Sequence, residues 1–123
     1  MCGKKKGTSY AALFFSADEN EMRAMYVSTP PPPWLDDQDL SKIVVGEAGI
    51  YCLYFLMDSE PGGYAQLTVN GRGIRGSMTE EEDGEICGSA ICSIREKALP
   101  CTLAVSGGNG AGSGIFLVMD YEV

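Results

Sequence analysis

The sequence contains no histidine, so the residues that could carry chemistry must be of other types. They are five cysteines, two clusters of carboxylates and two glycine-rich segments. Without an imidazole, Ser-His-Asp and Cys-His nucleophiles, histidine-ligated metals and imidazole proton transfer are excluded. The remaining possibilities are thiol chemistry, paired carboxylates, cation binding by acidic loops and phosphate binding by glycine-rich loops. Each of these needs a particular spacing along the chain.

The cysteines form neither a disulfide framework nor a zinc motif. They are Cys2, Cys52, Cys87, Cys92 and Cys101, and an odd number cannot be fully paired within one chain. The last four lie in apolar, strand-like runs, where a free cysteine behaves as a small buried hydrophobe. None of the spacings is the Cys-x-x-Cys knuckle of structural zinc sites, so we predict no metal at the thiols.

The carboxylate clusters, at residues 36–39 and 80–83, lie in predicted loops. Calcium binding is conceivable there, but neither cluster matches a known calcium loop, and a solvated face is the simpler interpretation. The glycine-rich segment at residues 107–114 lacks the Gly-Lys-Ser/Thr ending of a phosphate loop and precedes a strand. We therefore predict a non-enzymatic protein with no catalytic residues and no cofactor.

The net charge of −8 makes nucleic acid a poor partner, because an acidic surface repels the phosphate backbone. The basic run is Lys4, Lys5 and Lys6, which is either a solvated tail or an arm that docks on an acidic neighbour. No apolar stretch is long enough to span a bilayer, and no signal peptide is visible. We expect the chain to start in a cytoplasm, or to be exported without a cleaved signal.

The length of 123 residues predicts one domain at residues 9–123, preceded by a short basic arm at residues 1–8. Sixteen glycines, mostly between apolar runs, indicate tight turns and an all-β chain. The Asn70-Gly71 pair predicts a hairpin, since both residues tolerate positive φ. Short strands with turns between them predict a two-sheet antiparallel sandwich or a barrel. The predicted strands are residues 10–15, 22–27 (with a helix over 16–26 as the alternative), 40–45, 50–57, 64–69, 73–78, 85–94, 101–106 and 115–123.

Three predicted strands are apolar on both faces, at residues 50–57, 86–94 and 115–119. A two-layer sandwich buries one face of each sheet, so the second face needs a cover. The simplest cover is another copy of the chain, because large exposed apolar patches are rare in monomers. A tightly closed barrel with a mixed exterior is the alternative. The residues predicted to lie between copies are Tyr51, Leu53, Phe55, Met57, Cys87, Ile91, Phe116 and Val118.

Four prolines at residues 30–33 form a stiff polyproline II segment ahead of Trp34. The segment is either a rigid loop that places Trp34 against the body of the protein or a ligand for an aromatic groove elsewhere. Its position within the domain favours the loop. If the protein grips a receptor or glycan, the candidate contacts are Trp34, Tyr64 and the loop at residues 79–84.

Four segments share features with a known family: GEAGIYCLYFLM, LTVNGRGIRGSM, GEICGSAICSI and LPCTLAVSGGNGAGSGIFLVMDYEV. The features are a Gly-x-Tyr strand at residues 49–51, the Asn-Gly hairpin, a strand that starts near Gly88 and an apolar final strand. Together they resemble the complement-type globular head, or tumour-necrosis-factor-like jelly roll, and especially its bacterial and phage versions. The resemblance covers residues 43–123, with residues 9–27 as the first strand pair.

That resemblance implies a ten-strand jelly roll that forms a compact homotrimer, with the doubly apolar strands lining the trimer interface. Two features depart from the family pattern. Residues 95–100 read REKALP where the family has a Gly-Asp turn, which puts a calcium site near that turn in doubt. No collagen-like Gly-X-Y repeat precedes the domain in this sequence.

The expected function is that of a homotrimeric structural protein on the outside of a large assembly. A phage capsid decoration, head-fibre or tail-fibre protein fits best, assembled in the host cytoplasm and displayed on the virion surface. Its partners are then further copies of itself and capsid or other virion proteins, with neither nucleic acid nor a membrane span involved. The alternative is a soluble, spore-surface or cell-surface binding module that recognises a receptor or glycan.

Overall fold

The computed structural model describes residues 9–17, 21–27, 30–36, 41–107 and 112–121, which form almost entirely β structure. A 3-10 turn, Glu96–Ala98, follows the strand that ends at Ile94. No helix within the described ranges is long and apolar enough to cross a membrane. The strands are β1 (Tyr10–Ala17), β2 (Met22–Tyr26), β3 (Leu35–Asp36), β4 (Ile43–Val45), β5 (Gly49–Asp58), β6 (Tyr64–Val69), β7 (Arg72–Gly73), β8 (Thr79–Glu80), β9 (Glu85–Ile94), β10 (Cys101–Gly107) and β11 (Gly112–Tyr121).

The strands assemble into two antiparallel sheets, and the chain crosses repeatedly from one sheet to the other. The five-stranded sheet has the order β2-β1-β11-β5-β9, and the six-stranded sheet has the order β3-β4-β10-β6-β7 with β8 beside β6. The consecutive strands β4 and β5 lie in different sheets, as do β9 and β10. The first and last strands, β1 and β11, lie side by side, with Tyr10 opposite Met119. This is the two-sheet antiparallel jelly-roll sandwich that the sequence predicted.

The core lies between the sheets and is filled by alternate side chains of the facing strands. Along most of β5 every second residue is buried and the residues between are partly or fully exposed, as expected of a strand with one face on the core. The rings of Phe15 and Phe116 meet edge to face with centroids 6.1 Å apart. The largest side chains that are less than 2% exposed are Tyr51, Phe15, Phe55, Phe116, Leu13, Ile43, Leu53, Met57, Leu67, Ile86, Leu103 and Val45.

The hairpin predicted at residues 70–71 is confirmed, but the strand that follows it is shorter than predicted. The two turn residues have φ of 52° and 81°, which a type I′ turn requires. The return strand is only Arg72–Gly73, whereas residues 73–78 were predicted. The buried hydroxyl of Ser77 accepts a hydrogen bond from the backbone N–H of Leu67 at 3.1 Å. A side chain thus takes the place of a backbone partner, and the strand ladder ends there.

Near the N-terminus, the choice between a strand and a helix is resolved in favour of the strand. Met22–Tyr26 pairs antiparallel with β1, placing Ala17 opposite Met22. Of the strand predicted at residues 40–45, Ile43–Val45 forms β4, and residue 40 lies outside the described residues. The long strand predicted at residues 85–94 is confirmed at both ends. β2 and β9 are the two outermost strands of the five-stranded sheet, and β4 belongs to the six-stranded sheet.

Candidate functional site

The five-stranded sheet buries most of the residues that the sequence predicted to lie between copies. Six of the eight point into the core between the sheets, and each is at most 1% exposed in the single chain. Surface that the six-stranded sheet already buries cannot be buried again by a second copy, so this part of the prediction is wrong. The six residues are Tyr51, Leu53, Phe55, Met57, Phe116 and Val118.

The error comes from the register of the strands, which decides which residues share a face. Leu53 of β5 lies opposite Ala90 of β9. Odd-numbered residues of β5 therefore share a face with even-numbered residues of β9. Cys87 and Ile91, the other two predicted residues, consequently point to the opposite side of the sheet, where both are exposed.

The opposite side of the sheet carries three mainly apolar rows that run across the paired strands, and we call these rows together the outer apolar face. Six of its large side chains are 41% to 65% exposed: Tyr10, Phe14, Met25, Tyr54, Ile91 and Ile115. The first row is Met25, Phe14, Ile115, Leu56 and Cys87. The second row is Ala12, Leu117, Tyr54 and Ser89, and the third row is Tyr10, Met119, Cys52 and Ile91.

The outer apolar face is the candidate functional site. None of its three rows contains a charged residue. Large contiguous apolar patches are rare on the surfaces of monomeric proteins. Where they occur, they usually mark an interaction surface. Burying one large aromatic or aliphatic side chain contributes about 1.5–3 kcal/mol, so several together supply ample energy for association. What this arrangement can do is bind another surface.

The sequence contains a signal for the outward side that the interface prediction missed. Beside the first apolar row lies a polar row of Arg23, Ser16, Ser113, Asp58 and Glu85. Arg23 lies opposite Ser16, Ser16 opposite Ser113, and Asp58 opposite Glu85. Each of these polar residues is two positions along its strand from an outward apolar residue, so it shares the same face. A polar side chain at that spacing marks the side that faces away from the core.

The described cysteines include one that forms a hydrogen bond on the outer apolar face and two whose pKa is raised by burial. On the outer apolar face, the Cys87 thiol donates a hydrogen bond to the Tyr54 hydroxyl at 3.3 Å, and this contact raises the pKa of Tyr54. Burial raises the pKa of Cys92 to about 11 and also raises the pKa of Cys101. A thiol with a raised pKa stays protonated at neutral pH and is a poor nucleophile. Within the ranges that the structure describes, no three cysteine or carboxylate side chains group as metal ligands.

The two aromatic residues predicted as ligand contacts occupy different environments. Trp34 is 2% exposed, donates its indole N–H to the Ser9 hydroxyl at 2.8 Å, and packs edge to face on Tyr51. It belongs to the core, so its prediction as a ligand contact is wrong, and the rigid-loop interpretation of the proline segment is confirmed. Tyr64, at the start of β6, is 39% exposed, and its role as a contact stays a prediction.

Lys4, Lys5 and Lys6 lie outside the described residues, and their role as a docking arm stays a prediction. Of the acidic loop predicted at residues 79–84, Thr79–Glu80 instead forms β8, and Glu81 holds the rest of the loop against the preceding turn. One oxygen of the Glu81 carboxylate accepts a hydrogen bond from Gly62 N at 3.1 Å, and the other accepts one from Gly84 N at 2.6 Å. These bonds to the charged form lower the pKa of Glu81.

Replacing Glu81 with alanine is expected to lower the Tm at neutral pH and to have little effect in strong acid. The pKa of Glu81 is lower in the folded state, so its stabilisation is present above the unfolded-state pKa and disappears as the pH falls through the folded-state pKa. Thermal unfolding followed by circular dichroism at neutral and strongly acidic pH measures the difference. Glu82→Ala, on the same loop, is the matched control. A Tm difference that stays constant across this range would contradict the role of the carboxylate.

Neither a protein-family model nor a curated protein matches this chain. Solved structures do match its fold. Eiger TNF from S. frugiperda has a TM-score of 0.59 at 14% identity, covering 95% of this chain and 94% of that one. Murine APRIL at pH 8.0 has a TM-score of 0.59 at 11% identity, covering 92% and 100% respectively. Pika GITRL has a TM-score of 0.55 at 11% identity, covering 91% and 97%. At such identities the likeness concerns the fold alone, and on that basis the chain has a tumour-necrosis-factor-like jelly-roll fold.

Proposed function

We propose that this protein is a non-enzymatic structural head that forms a homotrimer through its outer apolar face. The observation that carries the proposal is the exposure of six large apolar side chains across three rows that contain no charge. When another copy covers the outer apolar face, apolar surface is removed from water. This removal is the main driving force for association. The homotrimer implied by the family resemblance and the jelly-roll fold of the chain both support the proposal.

The trimer is displayed on the exterior of a large assembly, as a phage capsid decoration, head-fibre or tail-fibre protein on the virion surface. Two features of the sequence support this assignment. The four segments that resemble the family are interpreted as resembling its bacterial and phage versions in particular. The acidic body also carries one short basic run, Lys4, Lys5 and Lys6, which suits docking on an acidic capsid neighbour.

The second candidate function is a soluble, spore-surface or cell-surface module that recognises a receptor or glycan. The exposed ring of Tyr64 favours it, because this residue lies on the six-stranded sheet. A trimer formed through the outer apolar face therefore leaves Tyr64 free to touch a ligand. Aromatic rings at exposed positions are frequent anchors of binding interfaces.

Light scattering at micromolar concentration tests the self-association. We expect a mass of about three times 13.1 kDa, because burial of the outer apolar face offsets the entropic cost of association. A folded monomer of normal stability at this concentration would contradict the homotrimer.

Purification with virions tests the display on an assembly. We expect the full chain to co-purify with particles and a variant without residues 1–8 to remain trimeric but lose that attachment. The binding module predicts a different result, in which Tyr64→Ala reduces ligand binding while attachment to particles does not depend on residues 1–8. Failure of the full chain to associate with particles would rule out the virion role.

A further inference from the structure

The polar row beside the outer apolar face has opposite charges at its two ends. Arg23 lies at the β2 end, Ser16 and Ser113 lie in the middle, and Asp58 and Glu85 lie at the β5–β9 end. These two ends coincide with the two lateral edges of the five-stranded sheet, since β2 and β9 are its outermost strands. The sheet therefore has a cationic edge and an acidic edge at the same level along its strands.

The acidic end lacks a cation within the described part of the chain. Asp58 lies directly opposite Glu85 on the neighbouring strand. Like charges at directly opposed positions of a sheet destabilise each other. Neither carboxylate has a hydrogen bond or an ion pair with another side chain among the described residues. A positive charge supplied from outside would relieve this repulsion.

The cationic end has only a weak partner. The Arg23 guanidinium lies 3.6 Å from the Glu21 carboxylate, and both side chains are more than 60% exposed. Exposed pairs of this kind contribute little to stability, so Arg23 can exchange its partner at small cost. Arg23 and Asp58 both border a groove of about 600 Å³, whose apolar lining includes Phe14, Met25 and Ile115. This groove has room for a protruding side chain from another molecule.

Both edges of the five-stranded sheet have further features that are typical of surfaces covered by a partner. Met25 on β2 and Ile91 on β9 are 65% and 59% exposed. The ten-residue strand β9 pairs with β5 on one side. On its other edge the first residue, Glu85, forms backbone hydrogen bonds with Glu82, and the rest of that edge forms none with any described residue. It contains neither lysine nor proline, the residues that usually protect an open edge from pairing.

We propose that copies of this chain join edge to edge, with the β2 edge of one copy against the β9 edge of the next and Arg23 paired with Glu85 of that neighbour. The inference rests on the homotrimer proposed above and names the contact that sets its orientation. A cyclic trimer needs a heterologous interface, in which two different surfaces of the chain meet. The opposite charges on the two edges match this requirement. Rotation about an axis parallel to the strands keeps the polar rows of all copies at the same level. The acidic end of one copy therefore faces the cationic end of the next, and the Glu85 side chain enters the groove beside Arg23.

A charge exchange tests the pairing. We expect Arg23→Glu and Glu85→Arg each to raise the dissociation constant of the trimer by about tenfold or more, because each places like charges together. The double variant carrying both changes restores the attraction and is expected to return to within about threefold of the wild type. Sedimentation at several protein concentrations measures the dissociation constants, and circular dichroism confirms that each exposed-site variant is folded.

Arg75→Glu and Glu96→Arg are the matched controls, because both residues are exposed and neither lies on the five-stranded sheet. We expect both to associate like the wild type. Single variants that associate like the wild type overturn the pairing, as does a double variant that is not rescued, and the homotrimer itself stands in either case. A wild-type chain that is monomeric overturns both the pairing and the homotrimer, so the two failures are distinguishable.

Discussion

Tyr54→Asp is expected to give a folded monomer, whereas Phe55→Asp, one residue further along the same strand, is expected to leave the chain unfolded. Tyr54 lies in the middle row of the outer apolar face, opposite Leu117, and is 41% exposed. A carboxylate there places an unpaired charge in the interface. Because central interface residues contribute about 2 kcal/mol or more, we expect the dissociation constant of the trimer to rise by at least about thirtyfold.

Phe55 lies on the other face of β5 and is 0% exposed. An aspartate at this position buries an uncompensated charge and removes an aromatic ring from the core. The first effect costs about 3–5 kcal/mol when the charge has no partner, and the second adds to it. Small domains are stable by only about 5–15 kcal/mol, so the sum is comparable to the whole stability of the fold.

Circular dichroism and light scattering on the same samples distinguish the two variants. Ser106→Asp is the matched control, because Ser106 is exposed on β10 of the other sheet and is expected to keep both the fold and the trimer. A Tyr54→Asp variant that keeps the trimer mass would contradict the assignment of the outer apolar face. A folded, monomeric Phe55→Asp variant would instead mean that the odd-numbered side of β5 lies between copies.

Trp34→Ala is expected to lower the free energy of unfolding by about 3–5 kcal/mol, as large-to-small changes at buried aromatic residues do. The indole is 2% exposed, packs on Tyr51 with ring centroids 5.2 Å apart, and donates a hydrogen bond to Ser9. The substitution therefore removes packing and leaves a cavity in the core. Denaturant unfolding at fixed protein concentration measures the change, because the concentration also affects a trimer.

Tyr64→Ala is the control for Trp34, since both residues were predicted as ligand contacts and only Tyr64 is exposed. We expect it to change the free energy of unfolding by no more than about 0.5 kcal/mol. Equal losses in the two variants, or a Trp34→Ala variant as stable as the wild type, would contradict the separation of their roles.

The positions of the strands followed from local patterns, because a strand or a turn depends mainly on neighbouring residues. The run at residues 85–94 predicted β9, and the Asn-Gly pair at residues 70–71 predicted the hairpin. The lack of histidine excluded the commonest catalytic arrangements through composition alone. That one sheet would be apolar on both sides was likewise evident in the sequence, because both sets of alternating residues in β5 are apolar.

Contacts between residues that are distant in the chain decide which side of the five-stranded sheet faces the core. Leu53 and Cys87 are equivalent as apolar strand residues, yet the β5–β9 register places one in the core and the other outside. The early end of β7 likewise depends on Ser77, which bonds to a strand ten residues away. A one-residue change of register reverses every side chain of a strand, so strand pairing, rather than composition, selected the face that is left for a partner.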